Sequence, residues 1–207
     1  AKKMHVDSIT TPFGRRSLTY GQLKHQADAA RSKHDCALDK WKVFRNISEA
    51  RSKLGLHDRA LAVLSALLSF FPTVELDPKK KLIVFPSNNQ LSLRAHGVCA
   101  RTLRRSLASL VDAGLICRHD SPNGKRYAHR TKSGEIECAY GFDLRPLVAR
   151  ASEFAELAEK IGQEAQQLKR TKEAISICRR DLRKLIQLHH LEGEGNPKVQ
   201  TISTRLD

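Results

Sequence analysis

The stretch that decides the fold runs from residue 87 to residue 130 and reads SNNQLSLRAHGVCARTLRRSLASLVDAGLICRHDSPNGKRYAHR. Its first part predicts two short helices separated by a break at Gly97, with Ser87 as the cap of the first helix. The second helix is predicted to run from Cys99 to Ala113. Two short helices across a turn that contains glycine form the helix-turn-helix pattern.

Residues compatible with β-structure follow the second helix directly. The run Leu115–His119 precedes the sequence Ser-Pro-Asn-Gly at 121–124, and the run Lys125–Arg130 follows it. A turn with proline early and Asn-Gly late predicts a β-hairpin between these two runs. A third run, Glu135–Phe142, predicts a further strand. A helix-turn-helix followed at once by a basic hairpin is the order of elements in a winged helix.

Helical patterns also precede this stretch. Apolar residues recur at helical spacing from Leu38 to Leu54, which predicts a helix. The segment from Asp58 to Phe71, ended by Pro72, is apolar almost all round, so this helix is predicted to lie at the centre of the domain. The fold class is therefore mainly α with a small β-hairpin (α+β).

The segment from Arg145 to Leu191 contains one proline, at its second residue, and one glycine. Apolar residues within it recur at intervals of seven: Leu147, Phe154, Ile161, Leu168, Ile175 and Leu182. A helix of this length would extend roughly 65–70 Å, which a domain of this size cannot cover. The pattern favours a coiled-coil-like homodimer. The alternative is a break at Gly162 that folds two helices back on each other.

These patterns divide the chain into four segments. They are a basic N-terminal arm with a short helix (1–37), a winged helix-turn-helix domain (38–144), a long helix that is a candidate for dimerisation (145–191), and a linker or tail (192–207).

The charge of the chain indicates a polyanionic partner. Lys and Arg number 37 against 22 Asp and Glu, so the formal net charge is +15. Such a domain attracts nucleic acid first. The stretch from Arg94 to Lys132 alone holds nine Lys or Arg against two Asp, and it coincides with the predicted helix-turn-helix and hairpin. We therefore expect duplex DNA as the partner.

The outward face of the second helix supplies the candidate base contacts, which are Arg101, Thr102 and Arg105. An arginine can contact guanine with two parallel hydrogen bonds, and the N-terminal half of this helix meets the base edges in the motif. Arg104 and Ser106 are candidates for phosphate contacts. The remaining candidate DNA-binding residues are Arg94, Ser109, Arg118, Asn123, Lys125, Arg126, Arg130 and, on the arm, Arg15 and Arg16.

Other function classes find little support in the sequence. The longest run without a charge, Ala60–Val74, is too short to span a bilayer, so no membrane partner is expected. The five cysteines form no Cys-x-x-Cys pair, which indicates reduced thiols in a cytoplasmic protein and no metal site. The single Gly-Lys, at Gly124-Lys125, lacks the Walker A pattern. We expect no cofactor and no enzymatic activity; a nicking enzyme that uses a tyrosine is the third alternative.

Several long segments occur in a fixed order along the chain. They are TTPFGRR (10–16), DRALAVLSALLSFFP (58–72), LIVFPSNNQLSLRAHG (82–97), TLRRSLASLVDAGLI (102–116), RHDSPNGKRYA (118–128) and GFDLRPLVAR (141–150). Together these segments resemble the RepC family, the replication initiators of the repABC plasmids of alphaproteobacteria.

The resemblance implies a cytoplasmic protein that binds its plasmid's origin, inside the initiator's own coding region, and starts replication with host replication proteins. It also implies a MarR-like winged helix in which Cys99–Ala113 and Arg118–Arg130 read duplex DNA. Members of the family continue into a second domain, so the chain is expected to be an N-terminal fragment. A winged-helix transcriptional repressor is the alternative function, because it needs the same DNA-reading surface.

Overall fold

A computed structural model describes residues 37–119, 121, 126–130 and 136–191. The elements follow in the order β1 (Leu38–Asp39), α1 (Lys40–Glu49), α2 (Asp58–Phe70), β2 (Glu75–Leu76), β3 (Ile83–Val84), α3 (Asn88–Arg94), α4 (Ala100–Asp112), β4 (Cys117–His119), β5 (Tyr127–Arg130), β6 (Ile136–Asp143), α5 (Arg145–Ala149) and α6 (Ala151–Leu191). The chain is thus mainly helical with small sheets and a long C-terminal helix. One compact unit ends at Glu159 and a second begins at Lys160.

Helix α2 lies at the centre of the first unit, as its apolar sequence predicts. Its buried side chains are Ala60, Leu61, Val63, Leu64, Ala66, Leu67 and Leu68. Helices α1, α3 and α4 all pack against it. Each fully buried leucine stabilises the fold by about 1.5–3 kcal/mol relative to an exposed one, so the leucines of α2 contribute strongly to core stability.

The buried Lys40 supports the C-terminal end of α2. Lys40 is 5% exposed, and its ammonium group donates a hydrogen bond to the carbonyl oxygen of Phe71 at 2.6 Å. Phe71 follows the last residue of α2 and precedes Pro72. Its carbonyl has no partner within the helix, and leaving it unpaired would be unfavourable. Burial lowers the pKa of Lys40, and the neighbouring Asp39 opposes that change. This contact holds the start of α1 against the end of α2.

Strand β6 organises the larger sheet, because β3, β4 and β5 all pair with it in antiparallel orientation. Strands β3 and β4 both pair with its C-terminal end, next to Asp143, and β5 pairs with its N-terminal part. A separate two-stranded sheet joins β1 to β2. The predicted third strand, Glu135–Phe142, corresponds to β6.

The predicted hairpin is corrected by this pairing. The turn sequence at 121–124 predicted that Leu115–His119 and Lys125–Arg130 pair with each other, but β4 and β5 each pair with β6 instead. A turn signal involves only neighbouring residues, whereas pairing with β6 places both strands beside a buried strand. Ala139 and Phe142 of β6, which pair with Ala128 and Arg118, are buried.

Helix α6 is continuous from Ala151 to Leu191, and its 41 residues correspond to a length of about 62 Å. Gly162 lies within it, so the predicted alternative of a break at that glycine is wrong. The first two turns belong to the first unit, since Phe154 and Ala158 are buried there. Residues 1–36 of the predicted arm and the predicted tail (192–207) lie outside the described residues.

Two glycines provide a matched test of this packing. A Cβ at Gly141 would overlap the carbonyl oxygen of Val84, whereas a Cβ at Gly162 meets nothing within 4 Å. We expect Gly141→Ala to destabilise the protein by about 1–3 kcal/mol, because the rigid backbone of β3 must shift. Gly162→Ala should stabilise α6 by about 0.5–1 kcal/mol, because alanine favours a helix interior. Thermal and urea unfolding of the two variants, followed by circular dichroism, measures both effects, and equal effects would contradict the register of β6.

Candidate nucleic-acid interface

A reciprocal pair of hydrogen bonds fixes the start of α3. The hydroxyl of Ser87 accepts the backbone N–H of Gln90 at 3.2 Å, and the side-chain oxygen of Gln90 accepts the N–H of Ser87 at 3.2 Å. This capping box satisfies two backbone donors that the first turn of a helix leaves unpaired. The predicted role of Ser87 as a cap is confirmed.

The connection from α3 to α4 turns sharply at His96 and Gly97, which both adopt positive φ angles, 60° and 72°. The N–H of Gly97 donates to the carbonyl of Ser92 at 2.8 Å, and the hydroxyl of Ser92 donates to the carbonyl of Val98 at 2.7 Å. Val98 is 4% exposed and anchors the connection in the core. These contacts set the position of the N-terminal end of α4.

Helix α4 is amphipathic, and its inner face packs on α2 and α3. Its buried residues are Leu103, Ser106, Leu107, Ala108, Leu110 and Val111. On the outer face Arg101, Arg104 and Arg105 are exposed, while Thr102 is half-buried. Three arginines therefore project from the N-terminal half of the helix, where the partial positive charge of a helix end adds to their own.

Ser106 is a correction to the predicted phosphate contacts. The sequence predicted a phosphate contact for it, but Ser106 is only 6% exposed and belongs to the buried face of α4. A residue that is buried against the core is poorly placed to contact a phosphate. The apolar spacing of α4 does not reveal this, because serine is small and polar and is usually assigned to the surface.

Arg105 and Ser109 lie at the edge of a shallow groove beside α4. Leu54 and Gly55 form part of its lining, and Asp112 lies in the same groove. The acidic group is near the C-terminal end of α4, so the positive charge of the outer face is concentrated in its first half. Arg101 and Arg104 lie outside this groove lining.

Arg94 is a structural anchor. Its guanidinium group donates to the backbone oxygen and to the hydroxyl of Ser69, both at 3.0 Å, and lies 3.8 Å from the ring centroid of Phe70. It thereby ties the end of α3 to the end of α2. The sequence predicted a DNA contact for Arg94, and the structure adds this packing role.

Arg126 has a similar anchoring role at the start of β5. Its Nη1 donates to the carbonyl of Pro86 at 2.9 Å, and its guanidinium carbon lies 4.3 Å from the ring centroid of Phe142. A cation over an aromatic ring is favourable, more so when it is shielded from water. Arg126 therefore connects β5 to the segment that leads into α3.

The other candidates near the strands are distributed as follows. Arg118 is half-buried in β4, opposite Phe142 of β6, and Arg130 is the last residue of β5. Asn123, Lys125, Arg15 and Arg16 lie outside the described residues.

Arg150 supports the C-terminal end of α4, a role that the sequence did not predict. Its guanidinium group donates to the carbonyls of Ala113 and Gly114, at 2.7 and 3.1 Å, and forms two hydrogen bonds of 2.8 Å with Glu153. A cation at a helix C-terminus satisfies carbonyls that have no partner within the helix. The sequence signal is only Arg and Glu three residues apart, so a partner 37 residues earlier in the chain could not be predicted from it.

Asp143 closes the end of the sheet beside β4. It is 2% exposed, and its carboxylate accepts hydrogen bonds from the backbone N–H and Nε of Arg145, at 2.9 and 2.6 Å. The Nε2 of His119 lies 3.2 Å from the same carboxylate. A buried carboxylate requires such partners. Within the described ranges, no group of His, Cys, Asp and Glu side chains is arranged to hold a metal ion.

Cys99 occupies the position before the first residue of α4. The thiol is exposed and lies 3.2 Å from the Thr102 hydroxyl, and this hydrogen bond lowers the pKa of Cys99. The backbone N–H groups at the helix start and the Arg101 charge act in the same direction. By contrast, burial raises the pKa of Cys117 to about 12, and the Asp143 carboxylate adds to that rise.

The family described as Replication protein C N-terminal domain matches residues 16–190. The chain belongs to this family. It therefore shares its pattern of residues with replication protein C across the helices and strands described above.

Two relatives of the chain are each described as "Putative replication protein C". The one from Sinorhizobium fredii (strain NBRC 101917 / NGR234) is 53% identical over 194 residues, and the one from Rhizobium rhizogenes is 51% identical over 194 residues. Each match covers 93% of this chain and 48% of the relative, so the chain spans about half the length of these relatives. No solved structure matches the chain. None of the helices in the described part of the chain has the length and apolar character that a bilayer crossing requires.

The two cysteines make the environment of α4 testable by alkylation. Because the thiolate is the reactive form, we expect iodoacetamide at pH 8 to modify Cys99 much faster than Cys117. Thr102→Val removes the hydroxyl that lowers the pKa of Cys99, so its rate profile should move to higher pH. Peptide mass spectrometry at timed intervals measures each rate, with Cys99→Ser as the control for site assignment. Equal rates for Cys99 and Cys117 would contradict the geometry at the start of α4.

Proposed function

We propose that this chain is the DNA-binding part of a plasmid replication initiator and that it binds duplex origin DNA through a winged helix-turn-helix. In this proposal α3 and α4 are the helix-turn-helix, α4 enters the major groove, and β5 with β6 forms the wing. One observation supports the proposal above the others. Arg101, Arg104 and Arg105 project together from the first half of a rigidly supported helix in a chain of the replication protein C family.

The arrangement of α4 suits base recognition for physical reasons. A guanidinium group presents donors in a planar fork, which matches the two acceptors of guanine in the major groove. Such recognition needs a precisely held helix, because a small displacement breaks both hydrogen bonds. The turn at His96 and Gly97 holds the N-terminal end of α4, and Arg150 holds the C-terminal end.

Each candidate residue has a proposed role. Arg101, Thr102 and Arg105 contact bases, and Arg104 contacts phosphate. Ser109 lies farther along α4, at the groove edge. The wing residues Arg118, Asn123, Lys125, Arg126 and Arg130 lie near phosphates, with Arg126 also anchoring the strand. Arg15 and Arg16 on the arm enter a minor groove. Arg94 acts chiefly by joining α3 to α2.

The same proposal extends to the whole protein. The fold is MarR-like, and the chain acts in the cytoplasm as a homodimer without a cofactor. It performs no bond chemistry; it marks the origin so that host replication proteins can open and copy it. Family membership supports a role in replication over that of a repressor, which would need only the same DNA-reading surface.

Binding at different salt concentrations tests the DNA interface. Neutralising several phosphates releases counterions, so the logarithm of affinity should fall linearly with the logarithm of salt concentration. Arg101→Ala should weaken binding to the cognate site by about 1–3 kcal/mol and reduce the preference for that site over random duplex. Arg104→Ala should weaken binding to the cognate site and to random duplex similarly. It should also reduce the slope of log affinity against log salt concentration by about 0.9.

Arg45 provides a matched control for these variants. It is an exposed arginine on α1, outside the proposed interface, so Arg45→Ala removes the same charge and should leave site preference unchanged. Fluorescence anisotropy on cognate and random duplexes measures all three variants. A flat salt response, or identical effects of Arg101→Ala and Arg45→Ala, would contradict the proposed interface.

Replication in the host separates an initiator from a repressor and from an enzyme. Footprinting on the encoding plasmid should place the protected site within the protein's own coding region. Arg101→Ala in the full-length protein should abolish plasmid maintenance. If the protein were instead a repressor, the same substitution would only change transcription. Incubation with supercoiled origin plasmid and Mg²⁺ should leave the plasmid supercoiled, whereas nicked product would show bond chemistry.

A further inference from the structure

The second compact unit exposes a line of apolar side chains. Along α6, Leu168, Ile175, Leu182 and Leu185 are between 43% and 61% exposed. The first three are spaced seven residues apart, and Leu185 follows Leu182 by three, so all four lie on one side of the helix. We call these four residues the α6 stripe. Large apolar side chains at regular spacing in contact with water indicate an interface.

The companion positions of the α6 stripe are small or uncharged over two heptads. Thr171 follows Leu168 by three residues, and Cys178 follows Ile175 in the same way. In the heptad before Leu168 the equivalent residue is Glu164, whose carboxylate would be unfavourable in such an interface. The region suited to close helix packing therefore runs from Leu168 to Leu185.

We propose that a second copy of the chain covers the α6 stripe, in a parallel and in-register helix pair. The inference deepens the homodimer of the proposed function by naming its surface, direction and register. An identical copy suits the stripe because a two-fold axis along the pair places each apolar position opposite its own equivalent. The uncharged companions Thr171 and Cys178 then also meet their equivalents.

The charges beside the α6 stripe favour the parallel direction. On one flank Lys172 and Arg179 occupy e positions of the heptad, and on the other flank Gln167, Ala174 and Asp181 occupy the g positions. In a parallel pair e faces g, so Lys172 lies near Gln167 of the second copy. In an antiparallel pair e faces e, which would place Lys172 and Arg179 of both copies against each other. That repulsion selects against the antiparallel pair.

The salt dependence of this pair should be opposite to that of DNA binding. From Lys160 to Leu191 the chain holds eight Lys or Arg against three Asp or Glu, so two copies of α6 repel each other. Salt screens that repulsion. Dimerisation should therefore strengthen as salt rises, whereas the proposed DNA binding weakens.

Two isoleucines provide a matched experiment. Ile175 is in the α6 stripe, and Ile177, also exposed, lies about 200° around the helix from it. We expect Ile175→Glu to raise the dimer dissociation constant at least about tenfold, because it places two carboxylates in an apolar contact. Ile177→Glu should change it by less than about twofold. Analytical ultracentrifugation of the full chain without DNA measures both, and circular dichroism confirms that each variant keeps its helix.

Cross-linking tests the direction and register. In a chain with Cys36, Cys99 and Cys138 replaced by serine, copper phenanthroline should link Cys178 to its equivalent. With Cys178→Ser added, Thr171→Cys and Leu185→Cys should each also link to their own equivalents, and Ser176→Cys should not. An antiparallel pair centred near residue 178 would link only a mixture of the Thr171→Cys and Leu185→Cys chains.

The outcomes separate this inference from the proposed function. A chain that stays monomeric at 100 µM would overturn the helix pair, as would equal effects of Ile175→Glu and Ile177→Glu. Loss of cross-linking at Thr171→Cys and Leu185→Cys would overturn its parallel direction. None of these results depends on DNA, so DNA binding measured separately on the same variants reports on the proposed function alone.

Discussion

The absence of a polar face on α2 is the constraint on which the first unit depends. A helix that is apolar almost all round must be covered on every side, and α1, α3 and α4 provide that cover. Helix α4 is therefore placed by the burial of Leu103, Leu107 and Leu110 rather than by its own helix propensity. The inner side of α4 packs against α2, so its outer side faces solvent and carries three arginines. The stable core thus holds the proposed DNA-reading surface rigidly in place.

Repulsion between positive charges tends to destabilise a strongly basic protein. In this chain several arginines instead stabilise the fold. Arg94, Arg126 and Arg150 each lie over a phenylalanine ring, 3.8, 4.3 and 5.0 Å from the ring centroid, and each donates to at least one backbone carbonyl. The planar guanidinium group allows both contacts at once. Part of the positive charge that suggested nucleic acid is thus used to join helices and strands.

Features that depend on residues close together in the sequence were predicted correctly, and features that depend on distant residues were not. The cap at Ser87, the stop at Pro72 and the turn at Gly97 are local signals, and the helices that they bound were predicted within a few residues. The pairing of β4 and β5 with β6 was not predicted, because it depends on residues far apart in the chain. The same holds for Ser106, for Gly141 against β3 and for Arg150 under α4. The arginines of α4 were identified from helical spacing, but spacing alone could not separate them from the anchoring Arg94.

The charge on α6 shows how pattern and position combine. In the net charge of the C-terminal segment, the basic residues between Lys160 and Leu191 are partly offset by the acidic residues that precede them. Placed on a helix, Lys172 and Arg179 fall on one flank of the apolar stripe, while the opposite flank carries no basic residue and one acidic residue, Asp181. The consequence for DNA is geometric. Two copies paired through α6 would bring two copies of α4 to one DNA molecule. The proposed origin site would then contain two half-sites, one for each copy. A single asymmetric site would instead require one copy to bind DNA alone.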